Sequence, residues 1–150
     1  MGGELEAVTA FAREVELAAG DDVAERLQRM HELPVGAAVV TPGGGLSVPF
    51  LIHVVVQSRD EPPSSTTVAR ALRNGLRRAA EWDLRTLALP PLGTGAGALE
   101  TERSASVMLE TVDAFAQEFG RAPGLEFLVG SDYEEDVLRR AVARREGSPE

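Results

Sequence analysis

The chain has 150 residues, 43% of them hydrophobic and 26% charged, which is the size and composition of one globular domain with its own core. Its formal net charge of −9 argues against a nucleic-acid partner, because proteins that bind nucleic acids carry basic surfaces. No apolar run is long enough to cross a membrane and no secretory leader pattern is present, so we expect no membrane partner.

Cysteine and lysine are both absent from the sequence. The absence of cysteine excludes disulfides, thiolate nucleophiles and cysteine-based zinc sites, and it favours a cytoplasmic location. The absence of lysine excludes a Schiff base and a phosphate-binding lysine. Since no group of histidine and acidic residues has metal-ligand spacing either, we predict neither a metal nor a cofactor.

The first third of the chain predicts two helices and two strands. Apolar residues at helical spacing predict a helix from Glu4 and a second, shorter helix from Asp22. Asp22 and Glu25 have the spacing of a capping box at the start of the second helix. Two apolar strands follow at 37–41 and 50–56, and the second is apolar on both faces, which indicates a sheet covered on both sides.

Helices and strands alternate in the rest of the chain. Ser64 and Ser65 end a proline-rich linker and offer a cap for a helix that ends near Asp83. A strand at 86–89 follows, and the next helix is predicted to stop at Gly120.

The C-terminal part adds one more strand and one more helix. The strand covers 125–129, and the helix begins at Asp132, which has capping-box spacing with Glu135. We expect a single domain over residues 1–146 and a flexible tail at 147–150. The alternation predicts an α/β domain, a three-layer α/β/α sandwich with a largely parallel mixed sheet.

A glycine-rich turn follows the strand at 86–89 and precedes the helix that ends at Gly120. Glycines allow the backbone to curl tightly and to approach a ligand, and the free N–H groups before a helix favour a phosphate. The predicted phosphate-binding residues are Gly93, Thr94, Gly95, Ala96 and Gly97.

Two other interpretations of this turn remain open. Gly93, Gly95 and Ala98 satisfy the G-x-G-x-x-A pattern of dinucleotide-binding proteins. The acidic residue that such a site needs at the tip of the following strand is missing, because Asp113 falls inside a helix pattern. The turn could also be tight only for packing.

The remaining chemistry-bearing residues favour structural roles, and we predict no catalytic residue. His53 lies in the middle of an apolar strand, as expected for a hydrogen-bonded histidine of the core or sheet edge. Arg70, Arg73, Arg77 and Arg78 lie on one helix, where a solvated face is the favoured interpretation and a surface for an acidic partner is the alternative.

Four segments in the same order resemble the macro domain family, which binds ADP-ribose. Residues 36–46, G-A-A-V-V-T-P-G-G-G-L, resemble the family's G-x-A-V-x-T-x-G-x-x-L stretch, and Leu51-Ile52-His53 resembles its V-I-H strand. A helix carrying Leu76 and Ala79 follows. Residues 87–95, L-A-L-P-P-L-G-T-G, are similar to the family's I-A-F-P-x-x-x-T-G.

The resemblance implies ligand contacts at two places. The family's T-G loop wraps the diphosphate and distal ribose of ADP-ribose, which corresponds to 93–97 here. The family places an aromatic side chain near the adenine or its ribose after the last strand, where this chain has Ser131 and Asp132, followed by Tyr133.

The N-terminal part departs from the family. The family's first two strands, its adenine-contacting Asp and its V-N-A-A-N loop with an Asn linked to hydrolysis have no counterpart, so the resemblance implies a shortened macro domain. The second missing strand would lie between the strands at 50–56 and 86–89, which leaves two bare edges. We considered three solutions: direct pairing of these strands, coverage by a second copy in a homodimer, or a chain that is a fragment.

Three functions follow from the resemblance. The first is binding of ADP-ribose or a related nucleotide diphosphate through 93–97. The second is hydrolysis or deacylation of ADP-ribose derivatives, for which the usual Asn is absent. The third is a non-catalytic interaction or assembly protein on a degenerate macro fold.

Overall fold

The computed structural model of the chain describes residues 10–30, 32–95 and 98–147. These residues form five helices and four strands: α1 Ala10–Ala19, α2 Asp21–Arg29, β1 Ala38–Pro42, β2 Phe50–Val54, α3 Ser65–Glu81, β3 Thr86–Leu89, α4 Thr101–Phe119, β4 Gly124–Phe127 and α5 Asp132–Gly147. Each is an element that the sequence predicts. The predicted start of the first helix at Glu4 and the tail residues 148–150 lie outside the described residues. Among the described helices, none is long and apolar enough to span a membrane.

The ends of α3 and α4 confirm two sequence predictions. The Ser64 side chain accepts the backbone N–H of Thr67 at 3.2 Å, and the backbone N–H of Ser64 donates to Thr67 Oγ1 at 2.9 Å. This reciprocal pair satisfies two N–H groups that the first turn of α3 leaves free. At the other end of α4, Gly120 adopts the left-handed conformation with φ of 84° and terminates the helix.

The capping boxes predicted at Asp22 and Asp132 are both wrong, because each helix is capped one or two residues earlier. Gly20 caps α2 without a side-chain hydrogen bond, so both aspartates of the following pair lie inside the helix. At α5 the Ser131 hydroxyl oxygen accepts the Glu134 N–H at 3.1 Å. Asp132 is instead the first helical residue, where its negative charge interacts favourably with the positive end of the helix dipole.

The strands form two separate pairs. β1 and β2 are antiparallel, with Val40 opposite Ile52, whereas β3 and β4 are parallel, with Leu87 opposite Leu125. In the part of the chain that the structure describes, β2 and β3 are not hydrogen-bonded neighbours. Direct pairing of these two strands, the first of the three solutions considered, is therefore not the one the fold adopts.

Helix α3 packs against the β1–β2 pair and shares the main hydrophobic core with β3. Leu72 and Leu76 of α3 belong to the main core, against which Leu87 of β3 packs. A Cβ atom at Gly75 would lie 3.2 Å from Val54 Cγ1 of β2, so the missing side chain lets β2 approach the helix closely. Helix α3 therefore packs on β2 and shares the main core with β3, whereas the two strand pairs are not hydrogen-bonded to each other among the described residues.

The layers on the two sides of the strands differ. Helices α1 and α2 cover the second face of the β1–β2 pair. Their buried residues Ala19, Val23 and Leu27 form a cluster against which Met30, Val39, Leu46 and Leu51 pack. Helix α4 completes the main core through Met108 and Phe115, and α5 packs on α4. The result is the predicted α/β/α sandwich. On β3, however, Thr86 and Ala88 point to the second face and are exposed.

Candidate functional site

The turn after β3 has the backbone that its glycines predict. Gly93 has a φ of 75° and Gly95 a φ of 132°, both in the region where other residues are strained. The Leu99 N–H donates to the Gly93 carbonyl oxygen at 3.0 Å, and the Ala98 N–H donates to that of Gly95 at 3.2 Å. The predicted site residues Ala96 and Gly97 lie outside the described residues.

The two described glycines of the turn have different surroundings. A Cβ atom at Gly93 would lie 2.6 Å from Val68 Cγ2 in α3, which is closer than real contacts allow. At Gly95 a Cβ atom would meet no described atom within 4 Å. The packing interpretation of the turn therefore applies to Gly93, whereas Gly95 faces open space that a ligand can enter.

Two buried side chains of α4 fix the start of the turn. Ser104, which is fully buried, donates its hydroxyl to the Leu92 carbonyl oxygen at 2.6 Å. The Leu92 N–H in turn contacts Met108 Sδ at 3.3 Å. Sequence reasoning did not identify Ser104 as part of the site; its position on the apolar face of α4 was the available signal.

The turn presents backbone donors without protein acceptors. Among the described residues, the N–H groups of Gly93, Thr94 and Gly95 have no hydrogen-bond acceptor. The Thr94 hydroxyl lies 3.4 Å from the Pro91 carbonyl oxygen, a long contact that leaves it free to turn toward a ligand. Such a row of free N–H groups suits the oxygens of an anion.

Three helix N-termini meet around this turn. Gly93 packs against Val68 in the first turn of α3. Arg103 in the first turn of α4 donates from Nε to Ser65 Oγ, the first residue of α3, at 2.8 Å. Tyr133 in the first turn of α5 donates its phenol hydrogen to Glu102 of α4. The N-terminus of α3 therefore lies against the turn, that of α4 beside it, and that of α5 beside the start of α4.

The second predicted group lies at the same edge, with its polar atoms partly engaged. Ser131 uses its hydroxyl oxygen to cap α5, as described above. Asp132 is exposed in the first turn of that helix. Tyr133 is exposed, and its hydrogen bond to Glu102 brings it beside the start of α4. The structure thus places Tyr133 beside the start of α4 and gives its hydroxyl a protein partner.

Glu102 is the residue of this region that sequence reasoning missed. The hydrogen bond from Tyr133 is the main cause that lowers the pKa of the Glu102 carboxyl. The same bond raises the pKa of the Tyr133 phenol above its ordinary value. Glu102 is consequently a carboxylate at neutral pH, and Glu100 stands exposed two residues before it. These charges oppose an anionic ligand, and solvent screens them.

His53 has the structural role that its position predicts. Its Nε2 lies 2.9 Å from Thr41 Oγ1 across the β1–β2 pair. Burial is the main cause that lowers its pKa from 6.5 to about 4, so the imidazole is neutral at pH 7. His31 lies outside the described residues. Among the residues that the structure describes, no cluster of three or more His, Asp or Glu side chains could hold a metal.

The arginines of α3 do more than form a solvated face. Arg73 pairs with Glu118 of α4 at 2.7 Å, and Arg70 lies 3.5 Å from Glu61. Arg78 donates from Nε to the Ala38 carbonyl oxygen at 3.0 Å. These guanidinium groups tie α3 to its neighbours while their side chains stay partly exposed, which agrees with the expected solvated face.

Comparison with known proteins gives the same family as the sequence motifs. The family model described as Macro domain matches residues 5–108. The chain is 31% identical over 119 residues to an O-acetyl-ADP-ribose deacetylase of Klebsiella pneumoniae (strain 342), which covers 78% of this chain and 68% of that protein. It is 40% identical over 81 residues to a macro domain-containing protein in the gbd 3' region of Cupriavidus necator. That match covers 53% of this chain and 47% of the relative, so the chain spans about half of its length.

Solved structures show the same fold. The Oceanobacillus iheyensis macrodomain with ADP superposes with a TM-score of 0.84 at 22% identity, covering 95% of this chain and 80% of that one. The Trypanosoma brucei macrodomain in complex with ADP-ribose gives 0.81 at 16% identity, covering 94% and 60%. The chain belongs to the macro domain family.

Proposed function

We propose that the protein binds ADP-ribose or a related nucleotide diphosphate, with the diphosphate on the backbone N–H groups of the glycine-rich turn. The observation that carries the proposal is the row of free N–H groups at Gly93, Thr94 and Gly95 where three helices begin. Two observations support it: the chain belongs to the macro domain family, and macrodomains of similar fold were solved with ADP or with ADP-ribose bound.

In this proposal each part of the site has a separate task. The amides of the turn bind the diphosphate oxygens, and the open side of Gly95 admits the ligand. The Thr94 hydroxyl adds one hydrogen bond. The Tyr133 ring, held by Glu102, provides a flat apolar surface at the rim for the adenine or its ribose. The acidic pair Glu100 and Glu102 keeps the affinity low.

Calorimetric titration with ADP-ribose, ADP and adenosine tests this proposal. We expect ADP-ribose and ADP to bind and adenosine to bind at least tenfold more weakly, since adenosine lacks the diphosphate. Equal heats from all three ligands, or none from ADP-ribose, would refute a diphosphate site.

A second candidate is deacylation of an ADP-ribose ester, favoured by the similarity to the Klebsiella deacetylase. It requires a group that activates water, and we propose no residue of this chain for that role. Release of acetate from O-acetyl-ADP-ribose at a rate above the buffer control would establish it. The cytoplasmic location and the homodimer stay predictions, and light scattering on the purified chain tests the latter.

A further inference from the structure

A cavity of about 450 Å³ lies at the end of the β3–β4 pair that is opposite the glycine-rich turn. Residues 84–85, directly before β3, and residues 121–123, directly before β4, line this cavity. The glycine-rich turn follows the other end of β3. Because β3 and β4 are parallel, the cavity lies at the N-terminal ends of both strands, away from the proposed diphosphate site.

The cavity is lined mainly by apolar side chains. Phe115 of α4, which is buried in the main core, and the half-buried Leu84 form part of its wall. Ala122 and Pro123 add further half-buried surface, and Ala122 packs against the main core. Small-molecule sites have cavities of about 300–1,000 Å³ that are mostly apolar and contain a few polar groups. The cavity therefore has the size and lining to take an apolar group out of water.

Two arginines give the cavity its positive charge. Arg85 and Arg121 both line it, and both are exposed. Among the residues that the structure describes, neither guanidinium group forms an ion pair or a hydrogen bond, whereas Arg73 pairs with Glu118. A guanidinium group has several N–H donors and can bind a carboxylate through two parallel hydrogen bonds. These donors are therefore available to an anion in the cavity.

Asp83 is the acidic residue of the described lining, and its φ of 58° belongs to the end of α3. The Leu84 N–H donates to the Ala79 carbonyl oxygen at 2.8 Å. The Asp83 N–H donates to that of Ala80 at 3.2 Å, which completes a Schellman motif. Asp83 thus has a structural role, and its exposed carboxylate opposes an anion. The lining as a whole still has a charge of +1, in a chain whose formal net charge is −9.

We propose that this cavity binds a small organic carboxylate with an apolar body. The carboxylate accepts hydrogen bonds from the guanidinium groups of Arg85 and Arg121, and the apolar body lies against Phe115 and Leu84. A neutral apolar molecule would leave the two cations without an acceptor, and a bare phosphate would leave the apolar wall uncovered. This site is independent of the proposed nucleotide site, because the two share no residue.

Trp82 provides a fluorescence signal for the test. It is the chain's one tryptophan, it directly precedes Asp83 of the lining, and it is 49% exposed. The full chain is titrated with phenylacetate, with phenylacetamide, which has the same ring but no charge, and with inorganic phosphate, which has no apolar part. We expect a saturable change with phenylacetate, and binding weaker by about tenfold or more for the other two, since each lacks one of the two contacts.

Variants of the charged residues locate the site. Arg85→Gln and Arg121→Gln should each weaken phenylacetate binding by about tenfold, and Arg77→Gln should not, because Arg77 is exposed on α3 outside the lining. Asp83→Asn should strengthen binding, since asparagine also adopts a positive φ and the opposing charge is gone. A gain in affinity cannot come from a misfolded variant, and circular dichroism checks that the others fold.

Three results would overturn the proposal. One is no response of the folded chain to phenylacetate at about 10 mM. Another is equal affinity for phenylacetate and phenylacetamide, which means that the cavity does not recognise the carboxylate. The third is displacement of phenylacetate by pyrophosphate together with unchanged affinity in the Arg85→Gln and Arg121→Gln variants, which means that the acid binds at the glycine-rich turn instead.

Discussion

The hydroxyl of Ser104 donates to the carbonyl oxygen of Leu92 at 2.6 Å, and this bond joins the first turns of α4 to the start of the glycine-rich turn. Ser104 has no exposed surface, so water cannot replace the bond. The position of the candidate phosphate site is therefore set by a buried contact, and the free N–H groups of the turn are held ready before a ligand arrives.

Replacing Ser104 with alanine tests this relationship. Ser104→Ala leaves the Leu92 carbonyl oxygen without its donor, and we expect a loss of about 1–3 kcal/mol of unfolding free energy. Urea unfolding measures the loss, and ADP-ribose affinity should fall with it. Ser106→Ala, on the same helix and half-buried, is the matched control. Equal stability of the two variants would contradict the role given to the bond.

A valine at Gly95 should abolish nucleotide binding with little change in fold. The new side chain projects into the space where the ligand is proposed to lie, and it meets no described protein atom. Gly120→Val is the control, because Gly120 also has a positive φ and open surroundings but lies at the far end of α4. Both variants place a valine at a positive φ, which strains the backbone in each. Calorimetry should show loss of ADP-ribose binding in the first variant only.

We expect the free energy of unfolding to fall at acidic pH because of the buried His53. Its pKa is about 4 in the folded chain and 6.5 in the unfolded chain, so the unfolded chain binds the extra proton between these values. Stability is thus complete above pH 6.5 and falls by about 3 kcal/mol as the pH drops to 4.

The variant His53→Gln isolates this contribution from that of the carboxyl groups. Urea unfolding at pH 7 and at pH 4.5 should show a larger loss for the wild type than for the variant. Parallel losses in the two proteins would mean that His53 is not buried as described.

Tyr133 should titrate above the ordinary tyrosine range, because Glu102 accepts its proton in a hydrogen bond and places a negative charge beside it. Tyr133 is the chain's one tyrosine, so ultraviolet absorbance follows it without interference from another phenol. Glu102→Gln should lower the pKa toward its normal value. An identical titration curve in that variant would show that the two side chains do not interact in solution.

The elements that the sequence predicted best are those defined by local pattern. The strand at Thr86–Leu89 has the predicted bounds, and Gly120 ends α4 as expected, since a glycine after an apolar helical repeat has one common conformation. The cap of α2 was misplaced because Gly20 occupies it without a side-chain hydrogen bond, which no polar spacing indicates. The cap of α5 was misplaced because three-residue spacing alone does not choose between Ser131 and Asp132.

In the candidate site, too, the local part was predictable from the sequence and the long-range contacts were not. The turn at Gly93–Gly95 is local and was found from its glycines. Its supports are not local: Ser104 binds a residue 12 positions away, and Tyr133 binds Glu102 across 31 positions. Such pairs depend on how helices pack, which periodicity does not specify. The question of whether β2 and β3 pair directly arose only through the family resemblance, and among the described residues they are not hydrogen-bonded neighbours.

The most direct test of the diphosphate site is the amide spectrum of the isotopically labelled chain during titration with ADP-ribose. Backbone N–H groups that gain a charged acceptor shift their proton resonances downfield. We expect the amide protons of Thr94 and Gly95 to move downfield with ADP-ribose and with inorganic pyrophosphate, and not with adenosine. If ADP-ribose shifts other amides and leaves these two unmoved, the ligand binds elsewhere and the turn is not the diphosphate site.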